Sequence, residues 1–111
     1  MHSAVTREEF KLLRSSQISA RQGQVHVRAI AADQAVVLAW ALPVTLGSAV
    51  FRNRIRRVVR ALVLSLPLPP GRYLISVWPP RQTAAPLTEE LIVAQARSAL
   101  GLVSAKLLST I

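Results

Sequence analysis

Apolar and polar residues alternate along this chain with periods that change from segment to segment, and the changes mark its elements. Thr6 with Glu9 three residues later makes the capping-box pattern and predicts a short helix from Arg7 to Ser15 that turns Phe10, Leu13 and, with them, Leu12 toward a core. Ser15–Gly23 is polar and reads as a loop, with room for one further strand. Gln24–Ala31 then alternates, with Val25, Val27 and Ala29 on one side and His26, Arg28 and Ile30 on the other, which is the period of a strand. Asp33-Gln34 suits a tight turn into a second strand, Ala35–Val44. That strand is apolar on both faces, which predicts a central place in its sheet.

Gly47-Ser48 stops the strand, and Ser48 is placed to cap a helix that runs to about Leu66 and is ended by Pro67, Pro69, Pro70 and Gly71. Arg72–Trp78 is another short strand, and Pro79–Pro86 a proline-rich loop. Thr88 caps a last helix whose dipole Glu89 and Glu90 complement, with Leu91, Ala96, Leu100, Val103 and Leu107 as its apolar stripe. The order α-β-β-α-β-α, with space for one more strand before Gln24, reads as α+β: a single-domain two-layer sandwich of a small mixed sheet with helices, spanning 1–111. A chain of 111 residues has enough length for one modest core and not for two. Ala35–Val44, the longest apolar stretch, falls well short of the roughly 18 residues of a membrane span. Met1–Phe10 carries Glu8 and Glu9 and no apolar signal-peptide centre. With no cysteine in the chain, disulfides and thiolate metal sites are excluded, and the expectation is a cytoplasmic protein with no membrane partner.

Charge sharpens the picture. Fourteen Lys and Arg, twelve of them Arg, face five acids for a formal net charge of +9. The Arg guanidinium is a planar fork that grips phosphate in two places, so the composition points to a polyanion. The cations concentrate in the helix starting at Ser48. At about 100° per residue, Arg52, Arg56 and Arg60 fall on one stripe, Asn53 and Arg57 flank it, and Ile55, Val58, Val59, Leu62 and Leu66 gather opposite. No acid lies between Asp33 and Glu89. Like charges four residues apart each destabilise a helix by a few tenths of a kcal/mol, and a merely solvated face would intersperse Glu. Uniform sign therefore implies a polyanionic partner.

Catalytic chemistry is poorly supplied. The glutamates form two adjacent pairs, Glu8-Glu9 and Glu89-Glu90; neighbours on a helix point about 100° apart, so neither pair makes an acid/base dyad. His2 sits at the terminus, and His26 has no Cys, Asp or second His near it in sequence. Neither a nucleophile motif nor a glycine-rich phosphate loop is present. The protein alone is expected to be inert, with no catalytic residue and no metal site of its own.

The segment Gly47-Ser48-Ala49-Val50-Phe51-Arg52-Asn53-Arg54-Ile55-Arg56-Arg57-Val58-Val59-Arg60 resembles, without a gap, the signature of the bacterial ribonuclease P protein family. There a strand runs into Gly, a Lys, Ala-Val, one more residue, Arg-Asn and a basic helix. Arg7-Glu8-Glu9-Phe10 and Arg72–Pro79 extend the likeness more weakly. Val44 and Thr45 stand where the family usually has two lysines, Ser48 where it has another, Val58 for a common Arg and Ala61 for a common Glu, so the strand-to-helix turn is poorer in cations. The resemblance implies a subunit that joins a large catalytic RNA and assists endonucleolytic removal of the 5′ leader of precursor tRNA. The RNA and its Mg²⁺ ions would perform the hydrolysis. It implies that Arg52, Asn53, Arg56, Arg57 and Arg60 contact the catalytic RNA, and that a cleft between the sheet and the first helix binds the leader. Phe10 is the one matching position in that cleft; Trp40 is a looser candidate, on its strand position and the capacity of its ring to stack with bases, with a core role as the simpler account of Trp40. A left-handed strand–helix–strand crossover is implied too, against the general right-handed rule.

Three other readings compete. A ribosomal or ribosome-assembly protein shares the size and charge. A DNA-binding regulator could lay helix 48–66 in a major groove, though the flanking strands do not suit a helix-turn-helix. A membrane-surface helix would need the apolar side that the core requires.

Overall fold

The computed structural model describes residues 5–80 and 86–110; His2 and the middle of the Pro79–Pro86 loop lie outside them. Three helices and a four-stranded mixed sheet occur in the order α1 (Arg7–Arg14), β1 (Ser19–Gln22), β2 (Val25–Ala31), β3 (Val36–Ala41), a 3-10 turn (Val44–Leu46), α2 (Ala49–Leu64), β4 (Gly71–Val77) and α3 (Glu89–Ser109). The capping box forms as expected: Glu9 N–H donates to Thr6 Oγ1 at 3.1 Å and Thr6 N–H to Glu9 Oε1 at 3.0 Å. Of the three α1 residues expected inside, Leu13 is fully buried and Phe10 half-buried, but Leu12 is exposed. An eight-residue helix lying across a sheet covers only a narrow stripe, and Leu12 falls beside it.

Strand order is β1-β2-β4-β3. β1 and β2 pair antiparallel, β2 and β4 antiparallel, and β3 and β4 parallel. The further strand allowed for before Gln24 is β1, tied to β2 by a two-residue Gly23-Gln24 turn in which Gly23 has φ 60°, the left-handed region that glycine reaches at little cost. One expectation changes: β3 is an edge strand and not a central one. It is apolar on both faces because both are covered: Val36, Leu38 and Trp40 pack against the main core under α2, while Ala39 and Ala41 join Leu13, Leu74 and Phe10 beneath α1. Asp33-Gln34 therefore does not close a hairpin; the chain skips the place that β4 later fills. Chain reversal there is completed by Ala35, whose φ is 52°.

The main core lies between one sheet face and α2 with α3. It is built from Val25, Val27 and Ala29 of β2, Tyr73, Ile75 and Val77 of β4, Ile55, Val59, Leu62 and Val63 of α2, and Ile92, Ala96, Leu100, Val103 and Leu107 of α3. Each large aliphatic group so buried contributes about 1.5–3 kcal/mol. By length and composition α3 could cross a membrane, yet here it is a core helix packed on β1, β2 and α2. α2 ends at Leu64, two residues before the expected Leu66. Val63 joins its buried side, and Val58 is only half-buried. Among the described residues the opposite sheet face is covered by α1 alone, over β2 and β4, so part of it stays open.

Candidate nucleic-acid interface

Two surfaces meet the description of a polyanion site, and they adjoin. The first is the outward side of α2. Ser48 caps the helix, its Oγ accepting from Phe51 N–H at 3.1 Å, and Ile55, Val59, Leu62 and Val63 fix the helix on the core. That anchoring sets the direction of every cation. Arg52 is half-buried, its Nε donating to the Gly47 carbonyl at 3.3 Å. Arg56 Nη1 donates to Asn53 Oδ1 at 2.8 Å, a contact that fixes the guanidinium fork while leaving its charge uncompensated. Arg57 is exposed and, with Val50, Asn53 and Arg54, borders a shallow depression of about 330 Å³. Arg60 stacks over Trp40, its guanidinium carbon 5.7 Å from the ring centroid. Among the described residues none of Arg52, Arg56, Arg57 and Arg60 has a carboxylate partner, whereas Arg54 Nε lies 3.1 Å from Glu89 Oε1.

The second surface is the open part of the sheet face beside α1. A groove of about 510 Å³ is lined by Phe10, Arg14, Arg28, Trp40, Leu42, Leu74, Ser76 and Trp78, among others. Strand alternation explains the set. Arg28 pairs with Leu74 and His26 with Ser76 in the β2–β4 register, so these side chains share the sheet face that α1 covers only in part, with Leu74 buried beneath the helix. Trp78 is 44% exposed, an apolar surface at a groove mouth where bases could stack. Arg28 Nη1 donates to the Arg14 carbonyl at 3.1 Å, fixing one rim. Directly opposite His26 in the β1–β2 register stands Arg21. Partial burial, and after it the charges of Arg28 and Arg21, hold the His26 imidazole below its ordinary pKa of 6.5.

The sites expected from sequence thus fall in two groups. Arg52, Asn53, Arg56, Arg57 and Arg60 all lie on α2; Phe10 lies in the groove. Trp40 belongs to both settings, packed against the main core under Arg60 and lining the groove at the free edge of the sheet. Arg14, Arg28, Ser76 and Trp78 were not anticipated. The signal for Arg28 was present in the alternation of β2, which already put it opposite Val25 and Val27. Nothing in sequence placed Trp78 beside it, because that needs the β2–β4 pairing. The described residues hold no group of three or more His, Cys, Asp or Glu that could hold a metal ion.

No protein-family model matches the sequence, and no curated protein matches it. Solved structures do match. The Staphylococcus aureus RNase P protein superposes with a TM-score of 0.73 at 19% identity, covering 92% of this chain and 95% of that one. A mutant of the S. aureus RNase P protein with defective mRNA degradation activity gives 0.72 at 21% identity, over 94% of this chain and 88% of that one. At this identity the likeness is one of architecture, and it extends over nearly the whole of both chains: this chain has the RNase P protein fold.

Proposed function

We propose that this chain is the protein subunit of a ribonuclease P: it binds the catalytic RNA through α2 and the 5′ leader of precursor tRNA through the sheet groove, in the cytoplasm. The observation that carries the reading is the junction at Trp40. On an RNase P protein fold, Arg60 of the cationic helix stacks on a tryptophan that also lines the groove. One continuous surface can therefore hold a structured RNA on one side and a single strand on the other. Arg52, Arg56, Arg57 and Arg60 supply phosphate contacts, with Asn53 orienting Arg56. Phe10 and Trp78 offer faces on which leader bases stack, and Arg14 and Arg28 meet the leader's phosphates.

The subunit's part in the reaction is to position. Endonucleolytic hydrolysis falls to the RNA and the Mg²⁺ ions it holds. The chain's own residues screen phosphate repulsion between two RNAs and fix the leader's path, so that binding energy remote from the scissile bond orients it. Competition binding tests the reading. Labelled ribonuclease P RNA is titrated with the protein, then challenged with unlabelled ribosomal RNA of similar length. Retention of the complex, lost in the Arg52→Ala/Arg56→Ala double variant, supports the proposal. Equal displacement by ribosomal RNA would favour a ribosomal or assembly role.

A further inference from the structure

We infer that the seam between α2 and α3 is a self-association surface, on which a second copy of this chain docks about a two-fold axis. A concavity of about 400 Å³ opens there, lined by Val58, Val93 and Ala94 with Glu89, Glu90 and Arg97 around them. Its apolar centre is only partly covered: Val58 and Val93 are half-buried and Ala94 exposed. Glu89 is committed to Arg54 at 3.1 Å. Glu90 and Arg97 are both exposed, and among the described residues neither has an ion-pair partner.

Spacing decides what fits. Glu90 and Arg97 are seven residues apart, two helical turns or about 10.5 Å, on one line along α3 with Val93 and Ala94 midway. A two-fold axis crossing α3 between Val93 and Ala94 turns the partner helix antiparallel. Glu90 of each copy then meets Arg97 of the other, since both lie equally far from the axis, and the apolar centres of the two copies close on each other. Such an isologous contact needs one patch carrying both charges in this arrangement. A polyanion would be repelled by Glu89 and Glu90. For a protein of net charge +9, most like-to-like approaches are repulsive, and this seam offers acid to base twice over. Antiparallel α3 helices also align their dipoles favourably. The cationic stripe of α2 and the sheet groove are not consumed, so each copy keeps its RNA surface.

The patch is small, which places the contact in the weak, transient class. Sedimentation equilibrium of the full chain, with a dissociation constant expected between about 10 μM and 1 mM, reads it directly. Glu90→Arg and Arg97→Glu each put like charges opposite at both symmetry-related contacts and should weaken the dimer roughly tenfold. The Glu90→Arg/Arg97→Glu double variant restores opposite charges and should return to within about threefold of the parent. Net charge supplies a control: the first variant raises it and the second lowers it, so general repulsion would move association in opposite directions while the seam predicts loss in both. Thermal melts verify that all three remain folded. A monomer throughout the range, a dimer indifferent to the single changes, or single changes with opposite effects would each overturn the inference.

Discussion

Removing the arginines of α2 one at a time should lower RNA affinity by a countable electrostatic amount while leaving the domain folded. Of the five arginines on α2, Arg54 is spent on Glu89 at 3.1 Å; Arg52, Arg56, Arg57 and Arg60 have no carboxylate partner among the described residues. If each neutralises one phosphate, log affinity falls with log salt at a slope of about −2.8 with the single-strand coefficient and about −3.6 with the duplex one. Raising salt from about 50 to 200 mM should then weaken binding roughly 50- to 150-fold. Each Arg→Ala change should cut the slope's magnitude by about 0.7 to 0.9. Arg56→Lys keeps the charge and gives up the oriented fork held by Asn53 Oδ1 at 2.8 Å, so its slope should match the parent while its affinity falls. Arg56 buries no apolar side chain in the core, and surface changes of this kind are usually within about 0.5 kcal/mol. Fluorescence anisotropy with labelled ribonuclease P RNA over a salt series, paired with thermal melts, measures both quantities. A quadruple Arg→Ala variant with the parental slope would refute the reasoning, as would single variants that lose affinity only because they unfold.

Further outcomes follow from the groove and the core. Phe10→Ala should spare affinity for the catalytic RNA and reduce the holoenzyme's preference for precursor over mature tRNA by about tenfold, one base stack being worth about 1–3 kcal/mol; equal preference in parent and variant would remove Phe10 from the leader path. Tyr73 is fully buried and its hydroxyl donates to the Pro69 carbonyl at 2.6 Å, so Tyr73→Phe should cost about 0.5–1.5 kcal/mol in a urea melt; the same burial pushes its pKa up to about 12, and the phenol should stay neutral in an absorbance titration to pH 10. Folding holds the His26 imidazole below 6.5, so the unfolded chain binds the proton more readily and stability should decline as pH drops through and below 6.5. A His26→Gln variant should lack that part of the decline. Glu9, lowered from 4.5 first by its hydrogen bond from the Thr6 backbone and then by Arg72, contributes stability above that value and loses it as pH falls further; Glu9→Gln should flatten the acid limb of the stability curve.

The helices were legible because their signals are local. Thr6 with Glu9, Ser48 and Thr88 all act as N-caps, and the stripe on α3 is buried at Ala96, Leu100, Val103 and Leu107. Leu91, expected in the same stripe, is 39% exposed, because the buried line of α3 begins at Ile92 and Leu91 lies about 100° to one side of it. Pairing was not legible. The apolar run of β3 carries the same pattern whether a strand is flanked by two others or lies at an edge between α1 and α2, and only the insertion of β4 between β2 and β3 decides it. The bounds of β1 could not be read, although space for a strand could, because a short edge strand with one wet face buries just Ala20, and Ser19, Arg21 and Gln22 read as loop. The candidate site divides along the same line. The arginine stripe of α2 follows from helical geometry alone, whereas Arg14, Arg28 and Trp78 come from three separate segments and meet only once α1 has docked on the β2–β4 pair.

A cleavage assay tests whether this chain acts as a ribonuclease P subunit. Precursor tRNA is incubated with bacterial ribonuclease P RNA at low Mg²⁺, with and without this protein. The protein should stimulate release of the 5′ leader, the Arg52→Ala/Arg56→Ala variant should not, and the protein without the RNA should be inert. Absence of stimulation, with the RNA taken from the same organism as the protein, would rule out the subunit role and leave an RNA-binding domain that shares a fold without sharing the role.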